Sequence, residues 1–315
     1  MKGSAVVSGA AGFVGSHLVD YLLREGFSVI GLDNLRTGRK ENLIEALKHK
    51  NFRFERLDIC SRDLMKAVKE PVDVIFHLAA ISSVKFSLEN PVEVNNVNVN
   101  GTLNMLELAR QRDAGKFVYS SSAAVYGNPS TFPVDEETPL DPLSPYAASK
   151  IAAEMYCLSY ASLYNMTPTI FRYFNVFGPR QDNSEYSGVI PIFINQGLQN
   201  LDITVDGDGS QTRSFIYVDD VVEATYLGSQ LETSIGHILN LSGTDSISIL
   251  DLAHMIKKQI PDSTSIIVHR DARIGDVQDS IGSMERTSSM LGFSPTVPFT
   301  TGLERTVSWY SSHED

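Results

Sequence analysis

Cysteine is scarce in this chain. Only Cys60 and Cys157 occur in 315 residues, too few for a disulfide framework or a cysteine metal site, so both read as core fillers in a reducing compartment. A basic cluster is missing as well. Lysine and arginine number 26 against 38 aspartates and glutamates, a formal net charge of −12, which argues against a nucleic-acid partner. An anionic small molecule remains admissible wherever a few arginines converge. Long apolar runs are absent too: "MKGSAVVSGAAG" has none that suits a signal peptide, and no later stretch reaches membrane-spanning length. The expectation is a soluble, cytoplasmic protein that binds neither nucleic acid nor membrane and holds no metal.

What is present is a composition that can bury a sizeable core, with 42% hydrophobic and 20% charged residues. Short β-branched runs alternate with longer amphipathic segments. "SAVVSG", "SVIGLD", "FRFERLD", "VDVIFHLAA", "KFVYSSS" and "TPTIFRYFNV" read as strands. Between them, "FVGSHLVDYLLREG", closed by Gly26, "VNGTLNMLELARQ" and "SPYAASKIAAEMYCLSYASLY" read as helices. Such alternation predicts an α/β fold, a parallel sheet covered by helices on both faces. After Val176 the rhythm loosens into "FGPRQDNSEYSGVIP" and "VDGDGSQTR". "SFIYVDDVVEATYLGSQ" is expected to add a strand and helix that rejoin the sheet, and Ser248 and Asp251 are spaced as a capping box. The predicted division is a large unit of residues 1–175 plus about 213–240, interleaved with a smaller lobe of 176–212 and 241–315.

"GAAGFVG" follows the first strand and opens a helix, with glycines at 9, 12 and 15 and Ala11 where the general dinucleotide fingerprint has its second glycine. Alone this variant is weak. Between a strand and a helix, with Asp33 ending the next strand, it reads as the phosphate turn of a Rossmann-type doubly wound sheet. Gly9 and Gly12 let the backbone approach a pyrophosphate, and the N–H groups of the first helical turn, Phe13, Val14 and Gly15, face that dianion. Asp33, with Asn34 beside it, suits the two hydroxyls of an adenosine ribose and repels a 2′-phosphate, which favours NAD. Arg36 keeps NADP open. Asp58 and Ile59, after the third strand, are placed at the adenine.

Tyr146 and Lys150 are four residues apart at a helix start and so share one face. A phenol with an ordinary pKa near 10 is a poor base at neutral pH. A neighbouring ammonium and a nicotinamide cation are expected to lower that pKa, while the lysine also bonds the nicotinamide ribose. A hydroxyl that orients the reacting oxygen is expected from the fifth strand's end, Ser122 first and Ser121 second. Ser120 is counted with the cofactor-facing residues, although a polar strand end is the plainer reading of it.

Together the glycine turn, Asp33, "HLAA", "SSSAAVYG", "SPYAASK", "RYFNVFGPRQ" and "GDGSQTRSFIYVDD" resemble the extended short-chain dehydrogenase/reductases. In particular they resemble the nucleotide-sugar 4-epimerases of the NAD-dependent epimerase/dehydratase family. The resemblance spans essentially the whole chain. It implies Ser122, Tyr146 and Lys150 as the catalytic set, acting on a UDP-sugar through a transient 4-keto sugar with NAD regenerated each cycle. It further implies Leu78, Ala79, Ala80, Asn98 and Phe174 near the cofactor, with His77 structural. Asn175, Val189, Arg213, Arg273 and Asp276 are implied at the diphosphate and nucleoside, and a homodimer through two helices of each chain, at 94–112 and 145–163.

Two departures refine the expectation. Ala123 and Ala124 stand where the dehydratase branch carries an Asp-Glu pair, so elimination of water is disfavoured. Ser280, seven positions after Arg273, occupies a size-gating position; a small residue there, with Ser83 near the sugar, implies that UDP-N-acetylglucosamine is accepted as well as UDP-glucose. Action on UDP-glucuronate, with Lys85 as the extra cation, stays open, as does a catalytically silent NAD-binding regulator.

Overall fold

The computed structural model describes residues 2–182, 188–232, 236–272 and 277–313. Seven strands form the main sheet: β1 (Ser4–Ser8), β2 (Ser28–Asp33), β3 (Phe52–Arg56), β4 (Val74–His77), β5 (Lys116–Ser122), β6 (Thr167–Tyr173) and β7 (His237–Leu241). Their order is 7-6-5-4-1-2-3, and every pairing is parallel. The order reverses between β1 and β4, which opens a crevice at the carboxyl ends of these strands.

The apolar runs are continuous because both faces of the sheet are buried. Val7, Val29, Phe76, Val118 and Phe171 pack with Leu18, Val19 and Leu22 of helix Phe13–Arg24 and with Val221 and Val222 of helix Val218–Gly228. On the opposite face Val6, Leu32, Ile75, Phe117 and Ile170 meet Met105, Leu106 and Ala109 of helix Gly101–Gln111, together with Ala153 and Cys157 of helix Pro145–Tyr164. Cys157 is a core filler, as expected; Cys60 is half-buried. Gly26 takes φ +86 just past the first helix, and Ser248 caps helix Ile249–Gln259 by accepting from the Asp251 N–H at 3.0 Å.

The strand expected to rejoin the sheet does not. Thr212–Tyr217 lies in a separate small sheet with Asn175–Phe177, Ser246–Ser248 and Asp279–Ser280, and His237–Leu241 is the seventh strand. One crossover helix joins two parallel neighbours. β6 already stands at the start of the crossover containing helix Val218–Gly228, so the strand just before that helix has no place between them. "TPTIFRYFNV" also divides: β6 ends at Tyr173, and Asn175–Phe177 leaves for the small sheet. Phe174 and Asn175 therefore sit where the two sheets meet. The segment before Gly101 is a π-helical turn, Asn96–Asn100, a form that 3.6-residue periodicity does not reveal. Among the described residues no helix is long and apolar enough to cross a membrane.

Candidate active site

The glycine turn hangs on β2: Gly9 N–H and Ala10 N–H both donate to Leu32 O, at 2.8 and 3.2 Å. Gly9 takes φ +72, and a Cβ there would stand 2.8 Å from Ala79 N. A Cβ on Gly15 would lie 1.9 Å from the Gly9 carbonyl oxygen, so helix Phe13–Arg24 can close on the turn only with glycine. Gly12 is the N-cap and brings no side chain to cap the first turn, whose N–H groups therefore face the crevice mouth.

Asp33 ends β2, 8% exposed. Its Oδ2 accepts from Ala11 N–H at 3.0 Å and its Oδ1 from Leu35 N–H at 2.8 Å. Burial pushes its carboxyl up, against the pull of those two amides. A Cβ on Gly38 would come within 2.8 Å of Oδ1, so this glycine keeps the carboxylate approachable; sequence reasoning missed it. Asn34 Nδ2 donates to Asp58 Oδ2 at 2.9 Å, and Asp58 Oδ1 takes the Cys60 N–H at 2.8 Å. Ile59 is buried beneath Gly101. Arg36, which kept NADP open, pairs with Glu93 and lies 5.2 Å from the Phe86 ring centroid. The bare cradle, the uncapped helix start and the carboxylate at the end of β2 fit NAD.

Helix Pro145–Tyr164 starts where the sequence says it must. Ser144 accepts the Ala147 N–H at 3.2 Å, and Pro145 occupies the first turn, where its missing N–H costs nothing. Tyr146 and Lys150 then point into the interior, 7% and 3% exposed. Lys150 Nζ donates to Ser120 O at 2.7 Å and lies 5.0 and 5.9 Å from the Tyr119 and Tyr146 ring centroids. Burial draws its ammonium down to about 8, against the attraction of Glu154.

The expected acidification of Tyr146 by Lys150 is not found. Burial pushes the phenol above its ordinary value, and the opposing influence is a hydrogen bond with the Ser122 hydroxyl. The ammonium is turned to the Ser120 carbonyl and does not offset the desolvation. The three serines differ in their partners. Ser121 donates to Glu154 and Ser120 to His77 O, which leaves Ser122 facing the phenol. Ser122 also accepts the Ala124 N–H at 3.2 Å, starting the short 3₁₀ turn Ala123–Tyr126.

Leu78, Ala79 and Ala80 leave β4 beside the glycine turn, with Leu78 N–H donating to Ser8 O at 3.2 Å and Ala79 N–H to Ser8 Oγ at 3.3 Å. Asn98 staples the next residue. Its Oδ1 accepts from Ile81 N–H at 2.8 Å and its Nδ2 donates to Ile81 O at 3.0 Å and to Ser149 Oγ at 2.9 Å. His77 is structural. Thr102 Oγ1 donates to Asn98 O at 2.6 Å and so accepts from His77 Nε2–H at 2.9 Å, while Nδ1 accepts from Ser8 Oγ at 2.7 Å. Burial, and then the Lys150 charge, hold this imidazole down to about 3.

On the other wall, Asn175 Nδ2 donates to Ser214 O at 3.1 Å and reaches Ser280 Oγ at 3.4 Å. Ser280 pairs in register with Arg213, whose Nη1 donates to Thr212 O at 2.8 Å. Phe174 lies against Gly282, two residues from Ser280. Val189 is the first residue of helix Val189–Leu198. Ser83 caps helix Val84–Glu89, accepting from Phe86 N–H at 3.0 Å, a local role that the sequence reading did not assign. Arg273 and Asp276 lie outside the described residues.

Behind the serines is a network that sequence reasoning passed over. Arg172 Nε and Nη2 donate to the two oxygens of Glu154 at 3.0 and 2.7 Å, and the side chains are 3% and 0% exposed. Arg172 Nη1 reaches Tyr126 Oη at 3.0 Å, and Tyr126 donates to Asn240 Oδ1 at 2.7 Å. A charged residue inside the apolar run "TIFRYF" was the available signal.

A bare glycine turn at the switch point of a parallel sheet, an acid ending the second strand and a Tyr–Lys pair beside a strand-end serine define a dinucleotide-binding protein of short-chain dehydrogenase type. Residues 5–242 match the family described as NAD dependent epimerase/dehydratase. The chain belongs to that family, it is an enzyme, and its cofactor is NAD. The UDP-glucose 4-epimerase of Mycolicibacterium smegmatis is 38% identical over 309 residues, 97% of each chain. Among solved structures, the UDP-N-acetylglucosamine 4-epimerase of Methanobrevibacter ruminantium, in complex with UDP-N-acetylmuramic acid, superimposes with a TM-score of 0.94 at 35% identity over 100% of both chains. The UDP-glucuronic acid 4-epimerase of Bacillus cereus, in complex with UDP-glucuronic acid and NAD, gives 0.91 at 31% identity over 98% of this chain and 99% of that one.

Proposed function

We propose that the chain interconverts the 4-epimers of UDP-hexoses, UDP-glucose with UDP-galactose and UDP-N-acetylglucosamine with UDP-N-acetylgalactosamine. The carrying observation is the grouping at the end of β5, where the buried Tyr146 phenol lies against the half-buried Ser122, with the buried Lys150 one helical turn away. NAD, when bound, would supply the hydride-transfer chemistry at the sugar C4. Gly9, Gly12, Phe13, Val14 and Gly15 hold its pyrophosphate, Asp33 and Asn34 its adenosine ribose, Asp58 and Ile59 its adenine. Leu78, Ala79, Ala80, Asn98, Ser120 and Phe174 border its nicotinamide half.

Tyr146 takes the proton of the 4-hydroxyl and later gives it back, Ser122 orients that oxygen, and Lys150 binds the nicotinamide ribose. Burial keeps the phenol protonated in the free chain, so it becomes a base only when further positive charge arrives beside it. Asn175, Val189 and Arg213 bind the nucleoside diphosphate, with Arg273 and Asp276 assigned to it on sequence alone; guanidinium forks suit phosphate oxygens. Ala123 and Ala124 supply no carboxylates, which disfavours dehydration. The small Ser280, within reach of Asn175, and Ser83 leave room for a 2-acetamido group.

A second reading, action on UDP-glucuronate, is supported by the likeness to the Bacillus cereus enzyme, with Lys85 as the cation at C6. Parallel conversion of UDP-glucose, UDP-N-acetylglucosamine and UDP-glucuronate separates the two. The first reading expects epimers of the first two sugars, and exclusive turnover of the uronate would overturn it.

A homodimer completes the proposal. Val84, Leu88 and Val92, and on helix Pro145–Tyr164 Met155, Tyr156, Leu163 and Tyr164, are exposed apolar side chains on packed neighbouring helices. Sedimentation is expected to give a dimer for the native chain and a monomer for Leu163→Glu.

A further inference from the structure

Glu154 and Arg172 form a buried ion pair to which the proposed chemistry assigns no task. Burying such a pair carries a large desolvation cost for each ion, and apolar replacements of similar volume often serve stability as well. Its position suggests a second purpose. Glu154 follows Lys150 by four residues and Tyr146 by eight, on the same face of helix Pro145–Tyr164. Its Oε1 accepts from both Ser121 Oγ and Arg172 Nε. Ser121 stands between Ser120, whose carbonyl holds the Lys150 ammonium, and Ser122, the partner of Tyr146. One carboxylate thus grips the middle of the three serines and sits a turn away from the ammonium.

We infer that Glu154, held by Arg172, is a positioning residue that locks the end of β5 to the helix and keeps Lys150 in its ammonium form. The inference rests on reading Tyr146 and Lys150 as the acid–base set. The surroundings of Lys150 otherwise work against its charge. Burial is the largest influence and lowers it; Glu154 is the largest that raises it, ahead of Cys157. Burial holds the nearby titratable groups neutral at pH 7: Tyr146 and Cys157 on the same helix, Tyr119 on β5 and His77 on β4. Glu107 and Arg110 on helix Gly101–Gln111 engage Tyr160 and Tyr164, further along. Arg172 meets both oxygens of Glu154, at 3.0 and 2.7 Å, and so gives the buried carboxyl group a charged partner.

The test uses the full-length, NAD-loaded protein and whichever UDP-sugar it turns over. In Glu154→Gln the alkaline limb of kcat is expected to fall to lower pH by about one unit, because an opposite charge near Lys150 has been removed, with KM changed less than twofold. Nitrogen-15 NMR of labelled lysine is expected to show the Lys150 titration falling in step, a readout independent of turnover. Glu154→Asp, which keeps the charge, restores the wild-type pH profile at reduced kcat. Should Glu154→Gln not fold because it orphans Arg172, the Glu154→Gln/Arg172→Met double variant removes both charges and is expected to show the same displacement. A folded variant with the wild-type profile and an unmoved Lys150 resonance overturns the inference. An unfolded double variant also overturns it, since the pair then serves the fold. Failure of the underlying function is detected separately, by undiminished turnover in Tyr146→Phe.

Discussion

The phenol proposed as the base sits where the protein alone makes it less acidic. Tyr146 is buried, its opposing influence is the Ser122 hydrogen bond, and the ammonium of Lys150 is given to the Ser120 carbonyl. Under the proposed mechanism, proton transfer is therefore coupled to occupancy: charge brought by the cofactor is needed before the phenolate is competent. Tyr146→Phe is expected to keep NAD affinity within about twofold and to lose about 10²–10⁴ of kcat, read by ligand titration and product formation. Ser121 and Ser122, adjacent and chemically identical, were separable only by their partners. One is spent on Glu154 and the other faces the phenol. The position of Asp33 as the last residue of β2 was legible, whereas Gly38, which leaves space before its carboxylate, carried no signal of its own.

The elements divide by how local their causes are. Helix Pro145–Tyr164 announces its start with Ser144 and Pro145, and that start sets the face on which Tyr146 and Lys150 lie. Helix Phe13–Arg24 depends on the turn before it. Gly15→Ala is expected to destabilise the protein by about 1–3 kcal/mol and to abolish NAD binding, because a Cβ 1.9 Å from Gly9 O must displace the phosphate turn. Urea melts and NAD titration check both effects; a variant that binds NAD normally would show that the turn yields without harm. Strand Thr212–Tyr217 is the opposite case. Its residues suit any buried strand, and only the crossover from β6 through helix Val218–Gly228 to β7 excluded it from the main sheet.

At the scale of the whole molecule, two histidines, His77 fully buried and His17 partly so, make stability depend on pH. His77 is held to about 3 and His17 to about 4, chiefly by burial, from an ordinary 6.5. The unfolded chain binds more protons across that window, so their contribution is complete above about 6.5 and is lost as pH falls towards 4 and then 3. Asp33, whose carboxyl is raised by burial, works in the other direction. Urea unfolding at pH 7, 6 and 5 is expected to show falling stability, and His77→Gln a shallower fall; an unchanged slope would show that His77 is not charged on unfolding in that range. The meeting of the two sheets makes a further prediction. Ser280, between Asn175 and Arg213, is expected to set the room beside the sugar. Ser280→Tyr should abolish turnover of UDP-N-acetylglucosamine while retaining UDP-glucose, measured as kcat/KM for each; equal loss of both would remove the gate.

Local chemistry was legible in the sequence because its causes are local: glycines where a Cβ would collide, an acid at a strand end, a capped helix start with tyrosine and lysine four apart, and apolar runs that demand a sheet buried on both faces. The tertiary structure decided what depends on residues distant in the chain. It chose His237–Leu241 as the seventh strand, set Ser122 apart from Ser121 and turned Lys150 toward a carbonyl. It also brought Glu154 and Arg172 together inside the core. Desolvation and ion pairing arise from everything packed around a group, and spacing along the chain does not carry that information.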